Sequence, residues 1–546
     1  MASSKRRSAA LPTSNKKKSK QSSPLLSLAE LNSYCDLLLD PNCKNYNHLT
    51  PLLEQYPLIK KELRDNGVRG LTEVEKNGRQ LTVTLFKVFQ GLVRNGALKY
   101  TKSGDEKKQM VVKWFNAKYD TFKNILLEFL KERLSYESSL QLDMLEIMFE
   151  LIKLEASYMK SNEKDAYFPT ATYKKMVENI LQSENEFIVL AFIETFVKYW
   201  DLQFYFVNDL NEPLTVWKAT EQLSDSQLSL IFDNFYLIMK NQLLFTDDYD
   251  VLRSEDVLVR SKLPNVLYKL THFKTQYQRA FVTVLSYPLS VHQYKEILVI
   301  LHKRIIPNME QPQSLMDFLT DAYNVSDDSS VPLLALNSLY ELMKSYNLEY
   351  PDFYTKLYTL LTPDILYSRY RSRFFRLCDL FLSSTHLSAA LVASFIKRLA
   401  RLAISASASG VVIVIPFIYN QLKRHPSCMI MLHNPEGAKQ SIQTDPFSET
   451  ELNPLETNAL NSSLWELEAL MNHYHPNVAT LAKIFAQPFR KPSYNLEDFL
   501  DWSYTSLLES EDTRRYKGLA ALEFEEYQAP FESKETPNAY VSGWEL

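Results

Sequence analysis

The chain has 546 residues, 45% of them apolar and 12% aromatic, which is ample material for a large buried core and excludes a largely disordered chain. Only ten are glycine, too few for a fold built on tight hairpins or phosphate-cradling loops, so helices are expected. The formal net charge of −4 hides an asymmetry, because residues 1–24 hold seven cations and no acid and leave −11 on the remainder.

The first 24 residues are polar and basic and are expected to be disordered. Lys5, Arg6 and Arg7, then Lys16, Lys17, Lys18 and Lys20, form two basic clusters patterned like a bipartite nuclear targeting signal; the plainer reading is a solvated tail. No apolar segment follows them as it would in a secretory signal. Cys35, Cys43, Cys378 and Cys428 form no C-x-x-C pair, which fits reduced thiols in a nuclear or cytosolic protein.

From Leu25 to Pro351 the chain reads as successive amphipathic helices. Phe115, Tyr119, Phe122, Leu126 and Phe129 recur at alternating spacings of four and three, the signature of one buried helical face. Glu186–Val207 is apolar nearly all round, as an inner helix would be. Breaks are expected at Asn211–Pro213, Thr246–Asp250 and Ser326–Pro332. No crisp repeat is visible, yet helices of this length with short breaks predict an all-α, irregular α-solenoid of HEAT or armadillo type. An ordinary helical bundle is the alternative.

Further on lies a basic island. Between Ile365 and Pro435 nine cations stand against one acid, Asp379. Tyr370, Phe374, Leu377 and Phe381 follow a core stripe, and Arg369, Arg373 and Arg376 follow a neighbouring one. The next helix repeats the pattern, with Phe395, Leu399 and Leu402 inward and Lys397, Arg398 and Arg401 outward. With Lys423 and Arg424 these residues form a candidate ridge for an anionic partner, RNA phosphate or an acidic protein segment. The competing reading is that they only solvate outer helix faces.

Inside the island the 21 residues between Arg401 and Lys423 carry no charge. Their length suits a membrane span, but three serines, Gly410, Pro416 and the pair Asn420–Gln421 argue against one. The β-branched run "VVIVI" permits a strand. A break at Ser405–Gly410 and a buried helix through Pro416 are favoured, with Arg401 and Lys423 brought together on one basic rim.

Motifs for chemistry are sparse. No nucleotide-binding glycine loop occurs. Ser394 and Lys397 match S-x-x-K by letters alone, without the companion motifs of that chemistry. His473 and His475 flank Tyr474 like a ligand pair, but no Cys or carboxylate cluster stands at ligand spacing, and a helix C-terminus is the expected setting. Neither an enzyme, a metal nor a cofactor is expected.

"YPDFYTKLYTLLTPDILYSRYRSRFFRLCDLFLSSTHLSAALVASFIKRLARLAIS", followed by "PFIYNQLKRHPSCMIMLH", resembles the CCAAT-binding-factor/nucleolar-complex family. "SSLWELEALMNHYHPNVATLAKIF" sharpens this to the nucleolar complex protein 4 branch, and the resemblance is strong from Gln293 to about Leu508. One departure is Ser405–Gly410, where relatives often carry a proline-bearing turn. The resemblance implies a non-enzymatic helical-repeat protein of the nucleolus, acting in the small-subunit processome on pre-ribosomal RNA with a nucleolar protein 14-type partner. A nuclear transport-receptor-like cargo adaptor is the alternative. No membrane and no small-molecule substrate are expected. Trp465, Leu467, Leu470 and Tyr474 are candidates for partner contact or core. The expected organisation is a basic tail (1–24), a helical-repeat region (25–290), the family domain (291–508) and an acidic extension (509–546).

Overall fold

A computed structural model describes residues 28–514 apart from short internal stretches, of which the longest are 160–166, 241–255, 260–266 and 435–443. The targeting cluster, Thr246–Asp250 and residues 515–546 lie outside the described residues. Among those described there are twenty-two α-helices and no strand. The chain divides into two compact units, residues 1–353 and 354–546.

The first unit is an α-solenoid. It opens with α1 (Leu28–Leu39), α2 (Leu49–Leu53), α3 (Tyr56–Asp65) and α4 (Leu71–Arg94). The array continues through α5 (Glu106–Lys131), α6 (Ser139–Tyr158), α7 (Thr170–Leu181) and α8 (Glu186–Phe196). Then come α9 (Trp200–Ala219), α10 (Asp225–Met239) and α11 (Leu270–Leu285), followed by α12 (Val291–Ile300), α13 (Met316–Asn324) and α14 (Ser330–Tyr346). From α4 to α11 each helix packs on the one two places further along: α4 on α6, α5 on α7, and so on to α9 on α11. That register makes two rows of helices around one continuous core, each repeat burying its neighbour's apolar face. All five residues of the α5 stripe are buried.

Two expectations for this unit are corrected. Glu186–Val207 is two helices, parted at 197–199, and the Gln203 side chain donates to the carbonyls of Phe196 and Val197 (both 3.1 Å) that the first helix leaves open. Asn211–Pro213 is not a break. α9 runs through Pro213 because it packs along α11, and Asn211 Nδ2 donates to Val207 O and to Gln276 Oε1 of α11. Tertiary packing outweighs the proline penalty there. The break near Ser326–Pro332 is present between α13 and α14.

The second unit contains α15 (Phe353–Thr359), which begins at the division, α16 (Arg371–Phe381), α17 (Ala389–Ile404) and α18 (Ala408–Arg424). The chain then returns through α19 (Trp465–Leu470), α20 (Pro476–Ala482), α21 (Glu497–Leu500) and α22 (Tyr504–Asp512). α17 and α18 form a central hairpin, the residues after 444 line its two sides, α19 lies on α17, and α20 to α22 lie on α18. The uncharged run is therefore a buried helix, and the strand is excluded. No helix among the described residues is long and apolar enough to cross a membrane.

Candidate functional site

The turn between α17 and α18 is three residues, Ser405–Ser407, and Gly410 already lies within α18. A Cβ on Gly410 would stand 3.2 Å from Leu366 Cβ and 3.4 Å from Leu366 O, so glycine serves close approach and not a turn. The hairpin also separates Arg401 from Lys423, each near the C-terminal end of its own antiparallel helix. About fifteen residues of helical rise, roughly 22 Å, lie between them. They do not share a rim.

Asn420 and Gln421, the odd polar pair in the apolar run, hold different segments, Asn420 the returning chain and Gln421 α16. Asn420 Nδ2 donates to Tyr494 O (2.8 Å) and its Oδ1 accepts from Tyr494 N (2.7 Å). Tyr419 OH donates to Lys491 O (2.8 Å) while its ring stacks on Phe489. Gln421 Nε2 donates to Asp379 Oδ1 (2.9 Å). Sequence reasoning had not given these residues this docking role, although polar groups inside an apolar run were the available signal.

The basic island is largely neutralised by acids of the same unit. Lys397, fully withdrawn from solvent, pairs with Glu466 (2.6 Å) and Asp445 (3.0 Å) and donates to Ser463 O (2.6 Å). Arg401 reaches the same two acids, Glu466 at 3.0 Å and Asp445 at 2.7 Å, with its guanidinium 4.9 Å from the Trp465 ring centroid. Trp465 Nε1 donates to Asp445 Oδ2 (3.1 Å). Two cations and two carboxylates thus close into a neutral tetrad roofed by an indole. Burial pushes the Asp445 carboxyl up, but hydrogen bonds from Ser462, the Phe447 N–H, Trp465 and Lys397 outweigh it and hold it well below the usual carboxylate range.

Arg398 donates to Leu361 O and Glu449 O and pairs with Glu449 at 3.5 Å. Arg376 makes a bidentate pair with Glu497 (2.7 and 2.6 Å), and Arg424 one with Asp379 (2.6 and 2.9 Å). Lys397 is thus a buried partner, not an outward residue, and the remaining four face acids of their own unit. For Lys397, Arg398, Arg401 and Arg376 the acids Asp445, Glu449, Glu466 and Glu497 lie beyond the window in which acids were scarce, whereas Arg424 meets Asp379, the one acid inside it. Arg369 is exposed, and Arg373 and Lys423 are half-buried. None of the three has an ion-pair partner among the described residues. Arg373 Nη1 is buried without a hydrogen-bond partner.

Leu467 and Leu470 are core, whereas Trp465 is 42% and Tyr474 77% exposed. His473 and His475 follow α19 rather than ending it. His475 caps α20, its Nδ1 accepting from Asn477 N (3.2 Å), because Pro476 starts a new helix. Ser394 Oγ is engaged by Ala390 O, Pro454 O and Thr457, and its hydroxyl is structural. Among the described residues no group of three or more His, Cys, Asp or Glu could hold a metal.

The description of the CBF/Mak21 family matches residues 332–482, which include the hairpin and the tetrad. A second, nucleolar complex protein 4-like, TPR repeats, matches residues 39–221. Nucleolar complex protein 4 of Saccharomyces cerevisiae is 41% identical over 529 residues, 90% of this chain and 93% of its own length. The chain belongs to the nucleolar complex protein 4 family. Homolog A of Xenopus laevis is 33% identical over 88% of this chain and 90% of its own, and the Gallus gallus homolog 33% over 83% and 89%. Membership places the protein in the nucleolus, the compartment after which these relatives are named. The family assigns its first repeats to the TPR class of helical array, where HEAT or armadillo type was expected.

Proposed function

We propose that this protein is a non-enzymatic assembly factor of ribosome biogenesis. It is a helical scaffold of the small-subunit processome, needed for processing pre-rRNA to the small-subunit rRNA and for 40S maturation and export, and it works with a nucleolar protein 14-type partner. The observation that carries this reading is similarity to nucleolar complex protein 4 over nine-tenths of the chain. The stacked helices support it, offering long surfaces to partners. Within the segment 291–508, Trp465 and Tyr474 are the exposed aromatics we assign to partner contact, and the basic tail of residues 1–24 serves nuclear targeting.

The test is affinity copurification of the full chain followed by RNA sequencing and mass spectrometry. Enrichment of small-subunit rRNA precursors together with a nucleolar protein 14-type protein is expected. Shuttling between compartments with cargo proteins and no rRNA precursor would replace this reading with the transport-adaptor one.

A further inference from the structure

We infer that a cleft in the C-terminal unit binds the backbone of single-stranded RNA, with Arg369 and Arg371 on phosphate and Tyr367 and Tyr504 stacked on bases. The cleft has a volume of about 370 Å³ and is lined by these four residues together with Ser409 and Asp501.

The island's own pairing selects this place. Five of its nine cations have acid partners, while Arg369 and Arg371 have none within ion-pair distance among the described residues, and both line one cavity. Arg371 is half-buried, and its guanidinium is held by neutral groups, Leu366 O (3.2 Å), Ser409 Oγ (3.2 Å) and Trp502 O. A half-buried cation held by neutral groups, with Asp501 near enough to act on it but beyond ion-pair distance, is what an oxyanion completes. Asp501 is the one acid in the lining, and it accepts from Ser372 Oγ at 3.2 Å.

Helix geometry adds to the field. α16 starts at Arg371, α18 at Ala408 and α22 at Tyr504, so three helix N-termini open on the cleft through their first-turn residues. Each contributes the positive end of its dipole, although some first-turn N–H groups are already bonded, Arg371 N to Ser368 O (3.2 Å) and Ser506 N to Ser503 Oγ (3.2 Å). Phosphate is the ligand such a wall suits. Tyr367 and Tyr504 then decide between sources, since both are more than half exposed beside the cations. Aromatic rings flanking guanidinium groups form a stacking platform for unpaired bases, which a phosphorylated side chain does not need.

This inference rests on the proposed role only in naming RNA as the nucleic acid. The test is fluorescence anisotropy of the full chain with a labelled oligouridylate of about ten residues at roughly 50 and 200 mM salt. Arg369→Ala is expected to weaken binding about fivefold and to reduce the log–log salt slope by about 0.7. Tyr367→Ala with Tyr504→Ala should weaken it about tenfold or more, and Asp501→Asn should tighten it. These side chains are exposed, and circular dichroism checks that each variant is folded. Unchanged affinity in all three variants overturns the inference. So does binding of a phosphoserine peptide that needs Arg369 and is not displaced by the oligonucleotide. If all three variants leave anisotropy unaltered while wild-type chain still copurifies rRNA precursors, the cleft is wrong and the role stands. Loss of that copurification from wild type removes the role itself, whatever the oligonucleotide does.

Discussion

Lys397 and Glu466 face each other at 2.6 Å with neither side chain touching solvent, on helices separated by sixty residues of chain. Removing Glu466 leaves Lys397 and Arg401 to share Asp445, one charge in excess in a largely buried tetrad. Glu466→Ala should therefore cost about 3–5 kcal/mol. Hydrogen exchange reads this as a loss of roughly two to nearly four orders of magnitude in protection of the α17 amides. Replacing both residues by apolar ones of similar volume should recover most of the loss.

The Arg376–Glu497 pair offers the contrast, because its two side chains are about half exposed. Arg376→Ala should change stability by no more than about 1 kcal/mol, in the same exchange experiment. An effect comparable to that of Glu466→Ala would mean that the C-terminal segment is held from α21, not from the tetrad.

Acid should loosen the tetrad. The folded Asp445 carboxyl is held below its ordinary value of about 3.9 by the hydrogen bonds described, despite its burial. A depressed carboxylate contributes stability that is complete above the unfolded value and lost as pH falls through the folded one. Wild type should exceed Asp445→Asn in thermal stability at neutral pH. The gap should shrink once pH drops below about 4.

Two glycines should respond oppositely to alanine. Gly410→Ala places a methyl against Leu366 and should destabilise by about 1–3 kcal/mol. Gly91, inside α4 with nothing within 4 Å of an added Cβ, should gain about 0.5–1 kcal/mol as alanine. Urea titration of the two variants measures both signs.

Periodicity made the helical character of the chain plain, as the α5 stripe shows, because burial of one face leaves a local trace at three- and four-residue spacing. Proline was a poorer guide. Pro213 was read as a break yet lies inside α9, since packing along a neighbour outweighs the missing N–H, while Pro416 lies inside α18 as expected. The basic ridge was misread because charge was counted in a sequence window. The acids that meet Lys397, Arg398, Arg401 and Arg376 lie 44 to 121 positions away, and no local pattern reports contacts at that separation. Of the candidate anion contacts, Arg369 alone lines the cleft, and Arg371 beside it had been counted among the island's cations without being assigned a role.

The tetrad also sets an order of events during synthesis. Lys397 leaves the ribosome 69 residues before Glu466, which at about 5–20 residues per second is roughly 3–14 s. For that interval α17 carries three cations and an apolar flank with no returning chain to cover them. A nascent chain stalled before residue 444 therefore presents a basic, greasy hairpin in a compartment crowded with polyanions, and translation speed across this stretch becomes a determinant of yield.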